Sequence, residues 1–132
     1  MRKYSLKCHN GSNYFDSVIS MVASHGRVEL TFDAESIHIV VEDYYPFLAL
    51  TQLRLQLEPM GIKILCNGSR LDVYPSSAVI IGFKAYRLEK GMIGSKDNLC
   101  YIFDPTEDLS KIATVAEQWD YWIKWRQDVF YH

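Results

Sequence analysis

Four histidines, three cysteines and sixteen carboxylates are the side chains of this 132-residue chain that could carry acid–base, nucleophilic or metal chemistry. His9, His25, His38 and His132 stand far apart, and none has the spacing of a helical metal pair such as HExxH. His25 falls in an expected last helical turn, where a cation complements the helix dipole. His38 falls in an expected strand, and His132 ends the sequence; all four read as surface or hydrogen-bonded histidines. Cys8, Cys66 and Cys100 are odd in number and lack CxxC spacing, which fits small buried thiols in a reducing cytoplasm better than a disulfide framework or a zinc site. GxSxG, P-loop and GxGxxG patterns are missing from the sequence, and Gly91-Met92-Ile93-Gly94 reads as a loop and not as a phosphate cradle. No metal and no cofactor are expected.

Carboxylates collect at Asp104, Glu107 and Asp108. Paired acids can do hydrolysis, but these flank an expected helix start, where negative charge is stabilising anyway. A second acidic group, Glu42-Asp43, adjoins Tyr44-Tyr45 and mixes charge with aromatic surface. Trp119, Trp122 and Trp125 could form a base-stacking platform. However, Trp119 and Trp122 share an apolar helical stripe and read as core, which leaves Trp125 with Tyr121 as an anchor for a partner. The richest polar stretch runs from Cys66 to Ser76 and continues at Phe83-Lys84-Ala85-Tyr86. Asn67, Arg70, Asp72 and Tyr74 place donors and acceptors around one expected hairpin. Arg70 and Asp72, two apart on a strand, share a face and can satisfy each other.

The elements that must position these groups follow from hydrophobic period and turn residues. Tyr4 to Cys8 alternates as a strand. Asn13 and Asp16 resemble a capping box, and Phe15, Val18, Ile19 and Val22 follow at helical spacing, so the pattern predicts a helix from Tyr14 to His25 stopped by Gly26. Arg27 to Phe32 and Ile37 to Val41 read as a strand pair joined by a polar turn. Pro46 opens a helix striped by Leu50, Leu53, Leu57 and Met60, and Pro59 and Gly61 end it. Ile62 to Cys66, Leu71 to Tyr74, Val79 to Leu88 and Leu99 to Phe103 read as short strands, with a loop at Lys90 to Lys96. Thr114 and Glu117 form a capping box for a last helix whose Val115, Trp119, Trp122, Ile123, Arg126 and Val129 share one face. The expected fold is a single α+β domain over residues 1–132, a mainly antiparallel sheet with about three helices packed on it.

Composition narrows the function classes. Hydrophobic residues at 48% and charged residues at 23% are ordinary for a globular protein and exclude a disordered or collagen-like chain. A net charge of −2 argues against a broad electrostatic grip on nucleic acid. No stretch approaches the roughly 18 apolar residues of a membrane span, and the N-terminus lacks the apolar core of a secretory signal. Aromatics at 14%, nine of them Tyr, suggest a contact surface.

From about Leu50 to Asp104 the sequence carries a dense pattern: Leu53-Arg54, Leu57-Glu58, Gly61-Ile62, the unbroken Leu65-to-Ser76 run, Gly82, Lys84-Ala85-Tyr86, Leu88, Gly91, Leu99 and Ile102-Phe103-Asp104. This pattern resembles that of small bacterial proteins encoded beside polymorphic toxins. It departs after Ser76, where similar proteins tend to have Gly-Met and this chain has Ser77-Ala78-Val79-Ile80. The resemblance implies a cytoplasmic immunity protein that binds and occludes a cognate toxin domain, expected to be a nuclease, as in contact-dependent growth inhibition or Rhs systems. On that reading the chain is not an enzyme. Its partner is protein, and the binding residues are expected at Glu42, Asp43, Tyr44 and Tyr45, then Asp104, Glu107 and Asp108. Asn67, Arg70, Asp72, Tyr74, Lys84 and Tyr86 form the family-like polar hairpin. The alternatives are a generic adaptor domain, or a small hydrolase or nuclease using Arg70, Asp72 and a histidine.

Overall fold

The computed structural model describes residues 1–92 and 96–130; part of the expected Lys90–Lys96 loop, and His132, lie outside them. The chain opens as a four-stranded meander: β1 (Arg2–His9), β2 (Tyr14–Ser24), β3 (Arg27–Ala34) and β4 (Ile37–Asp43). Helix α1 (Pro46–Leu57) then crosses the inner face of β3 and β4, and β5 (Lys63–Ile64) joins the far edge. The antiparallel sheet has the order β4-β3-β2-β1-β5. A second antiparallel sheet of order β6-β7-β8 follows, from β6 (Val73–Tyr74), β7 (Lys84–Arg87) and β8 (Leu99–Tyr101), and α2 (Val115–Phe130) closes the domain.

This is the expected α+β domain, but the described residues form two α-helices and not about three. The helix expected at Tyr14 to His25 is the strand β2. Both periods fit the stretch, and the turn before it decides. Asn10 Oδ1 accepts the backbone N–H groups of Ser12 (2.9 Å) and Asn13 (2.8 Å), and Asn10 N–H donates to the carbonyl of Asn13, so the chain reverses as a hairpin and Asn13 caps nothing. β-branched Val18, Ile19 and Val22 prefer the extended backbone. Ser17, Ile19 and Met21 face the core, and the inward hydroxyl of Ser17 donates to the carbonyl of Leu6 at 2.8 Å. Gly26 terminates no helix. With His25 it makes a two-residue turn, φ 53° and 73°, the left-handed pair that a tight hairpin between twisted strands requires.

The core lies between the inner face of the large sheet (Leu6, Cys8, Ile19, Met21, Leu30, Phe32), the stripe Phe47, Leu50, Leu53 and Leu57 of α1, and Val73, Ala85, Ile102 and Phe103 of the C-terminal half. Helix α1 starts with Pro46 at its first position and ends through Gly61, φ 74°, as the sequence predicts; Met60 is in the exposed turn beyond the helix and not in its stripe. Among the described residues no helix packs on the other face of the meander. Ser5, Val18, Asp33 and His38 form one outward row, and Lys3, Ser20, Thr31 and Val40 the next.

Helix α2 starts at its expected capping box: Thr114 Oγ1 accepts from Glu117 N–H (3.1 Å), and Glu117 Oε1 accepts from Thr114 N–H (2.8 Å). Its packing differs from expectation. Trp119 is 48% exposed and Trp122 half-buried, and Gln118 is the one fully buried residue of the helix. Polar contacts hold the buried side of the helix at Gln118, and Trp122 stacks on Tyr74. No helix among the described residues is long and apolar enough to cross a membrane.

Candidate partner-binding surface

The polar motif from Cys66 to Ser76 is not a hairpin. Strand β5 pairs with β1 and β6 with β7, so the two halves of the expected hairpin belong to different sheets. Between them Asn67–Ser69 forms a tight helical turn. At Gly68 a Cβ would stand 2.5 Å from Leu50 Cδ2 and 3.2 Å from Ile102 Cβ, so any side chain here would force its neighbours to shift. Arg70 and Asp72 satisfy each other as their spacing suggests: Nε donates to Oδ1 (2.8 Å), Nη2 to Oδ2 (2.9 Å), and Nη1 reaches Thr106 Oγ1 at 3.3 Å. That bidentate pair holds the Arg70 guanidinium above its ordinary pKa. Asn67 Nδ2 donates to the carbonyl of Tyr101, Lys84 lies over the Tyr101 ring, and Tyr74 and Tyr86 face each other across β6 and β7. Tyr74 stacks on Trp122 with centroids 4.7 Å apart, and burial raises its pKa.

Under this layer lies a polar hub that composition alone does not announce. Arg54 of α1 is buried and donates from Nη1 to Gln118 Oε1 (2.7 Å) and the Gly68 carbonyl (3.3 Å), and from Nη2 to the Ala113 carbonyl (2.8 Å). Gln118 Nε2 donates to the carbonyls of Gly68, Arg70 and Val73. One turn on, just past the end of α1, Glu58 Oε2 accepts the Val115 N–H at the start of α2. Burial lowers the Arg54 pKa, and carbonyl dipoles solvate the cation in place of water. Arg54 and Glu58 are thus structural. The signal was a charged pair at i, i+4 on the same side of α1 as the leucine stripe.

The expected binding residues separate into two ends of the molecule. Strand β3 starts beside Glu42–Tyr45 and ends beside Asp16 and Glu35, a span on the order of 20 Å. At the first end, Glu42 is ion-paired with Arg27, whose guanidinium also lies 4.4 Å from the Tyr44 ring centroid. Asp43 accepts the Tyr44 N–H (2.6 Å) and the Gln52 side chain (3.3 Å). Tyr44 is exposed, whereas Tyr45 is half-buried at the start of α1. The acidity expected there is largely spent internally. Trp125 and Tyr121, expected to anchor a partner, pin the chain after β7: Trp125 Nε1 donates to the carbonyls of Glu89 and Met92, and the Tyr121 hydroxyl to that of Leu88.

At the other end, Asp108 caps the short turn Leu109–Lys111 and not α2; hydrogen bonds from the Ser110 hydroxyl and N–H lower its pKa. Asp104 is exposed, its carbonyl accepting the Asn67 N–H. Glu107 lines a cleft of about 990 Å³ together with Asp16, Asp33 and Glu35. The lining includes Val18, Leu65 and Pro105, and Tyr14 stands exposed beside them. Lys7 is the one cation in this lining, 3.6 Å from Asp16. The sequence reading gives Asp16 a capping role and does not place Asp16, Asp33 or Glu35 on a binding surface, because the helix expected at Tyr14 to His25 hides the hairpin end that gathers them. Among the described residues, no group of three or more His, Cys, Asp or Glu is placed to hold a metal ion. No protein-family model matches the chain, and no curated protein matches it significantly.

Proposed function

We propose that this domain is a toxin immunity protein that binds and occludes a cognate toxin domain through its acidic cleft. The observation that carries the reading is the cleft lining: four carboxylates against one lysine, over apolar and aromatic side chains. A basic partner such as a nuclease domain would be steered by the charge and anchored by the apolar surface. The resemblance over Leu50 to Asp104 supports the same reading; it falls mainly on the residues that build the scaffold and shares Leu65 with the cleft. A hydrolase would need a histidine beside Arg70 and Asp72. The side-chain hydrogen bonds of Arg70 and Asp72 go to each other and to Thr106, while His9 accepts from Gly11 and His38 contacts Asp33.

The test is co-expression with the product of the neighbouring gene. Growth should be restored, and a stoichiometric complex should co-purify. Reversing charge at Asp33, Glu35 and Glu107 together should slow association, most strongly at low salt. Rescue of growth without any complex would overturn the binding reading.

A further inference from the structure

The cleft runs along a strand whose edge is open. Leu65 N–H donates to the Lys7 carbonyl, so Lys7 turns its backbone groups toward the β5 side of β1. In an antiparallel pair these directions alternate, so Lys3 and Ser5 point the same way while Tyr4 and Leu6 bond to β2. Strand β5 covers this edge only opposite Cys8 and His9. The chain then leaves it: Cys66 pairs with Pro105, and Thr106 N–H takes the Leu65 carbonyl. Among the described residues no hydrogen bond reaches Lys3 or Ser5 on that side, and both residues are exposed. An open strand edge is a template for another strand.

Resting on the protein-binding reading above, we propose that the partner enters as an extended, lysine- or arginine-bearing segment that adds to β1 as a strand, continuing the line that β5 begins. The backbone of Lys3 and Ser5 would supply the ladder. The outward side chains of the added strand would lie on the outer face of the sheet with Asp16, Val18 and Asp33, and with Glu35 and Glu107 at its end. Charge complementarity selects a basic occupant; Lys3 lies outside the cleft lining, and Lys7 is held by Asp16. The opposite edge, β4, is not the candidate: no residue of β4 lines the cleft.

The probe is a fluorescent, end-blocked peptide Lys-Val-Lys-Val-Lys-Val-Lys, titrated by anisotropy onto the full chain at low salt. A second peptide of the same sequence and charge carries N-methyl groups on alternate amides and cannot complete a ladder. The N-methylated peptide should bind roughly tenfold or more weakly, and the unmodified one should raise hydrogen-exchange protection at Ser5. Ser5→Pro, which removes an N–H on the open edge, should weaken binding similarly with the melting transition retained. Equal binding of the two peptides would overturn strand addition, as would protection appearing along β4 or no binding at all. Failure here alongside a recoverable complex with the neighbouring gene's product removes only the strand geometry. Failure to recover that complex removes the function itself.

Discussion

Replacing Gln118 by leucine keeps the volume of a fully buried side chain but removes every polar contact it makes. Arg54 Nη1 is then left with the 3.3 Å contact to the Gly68 carbonyl, in a site too buried for water to compensate. A lost hydrogen bond to a charged group costs about 1.5–3 kcal/mol, and a stranded buried carbonyl about 1 kcal/mol more. The Arg70 carbonyl keeps the Val73 N–H, so the sum is held to roughly 3 kcal/mol. With a urea m-value of about 1.5 kcal/mol/M, the midpoint should fall by roughly 2 M. All three tryptophans lie on α2, so intrinsic fluorescence reports the helix directly. The decisive measurement is the cycle with Arg54→Met. That single change strands Gln118 Oε1 and the Ala113 carbonyl, whereas the double variant removes donor and acceptor together. The double loss should be smaller than the sum of the singles by at least about 1 kcal/mol. Additive losses would refute the claim that these two side chains form one hub.

Three further outcomes follow from the geometry. Gly68→Ala should cost about 1–3 kcal/mol in denaturant unfolding, because the new Cβ drives into Leu50 and Ile102. Burial pushes the Cys8 and Cys100 thiols up to about 11, so both should resist Ellman's reagent at pH 8 in the native state and react fully on unfolding; fast native reaction would show that the thiols are accessible. Hydrogen bonds from the Thr114 N–H and hydroxyl hold the Glu117 carboxyl below its ordinary pKa. Its contribution is therefore present above its unfolded value and lost as pH falls through the folded one. Glu117→Gln should flatten the acid limb of the stability curve below about pH 4.5 by no more than about 1 kcal/mol, measured by thermal melts across pH.

Where one period dominated, the sequence was readable: β3, β4, α1 with its proline start, and the capping box of α2. The stretch 14–25 defeated it because Phe15, Val18, Ile19 and Val22 fit a helix while Ser17, Ile19 and Met21 fit a strand. Only the Asn10 turn, a tertiary commitment to β1, settles which applies. The same error hid the cleft, whose carboxylates converge only when β2 is extended. Trp119 was misplaced for a different reason. Its stripe is apolar, but the ring lies against Tyr74 and Trp122 and stays exposed. The Arg70–Asp72 pair was legible from a spacing of two. Its position on a linker between two sheets was not, since pairing partners are long-range facts.

The two halves of the chain close their contacts over different distances. The meander is joined by turns of four, two and two residues, whereas Gln118 reaches back 45 residues to Val73 and 64 to Arg54. Loop-closure entropy is small for the first and larger for the second, so the hub should assemble after the sheet on the way to the native state. Mutations at Ile19 or Leu30 should slow refolding, while Gln118→Leu should leave the refolding rate nearly unchanged and speed unfolding. During synthesis the consequence is a waiting time. The meander and α1 are complete well before α2 leaves the ribosome, and until then Arg54 has neither Gln118 nor the Ala113 carbonyl to donate to.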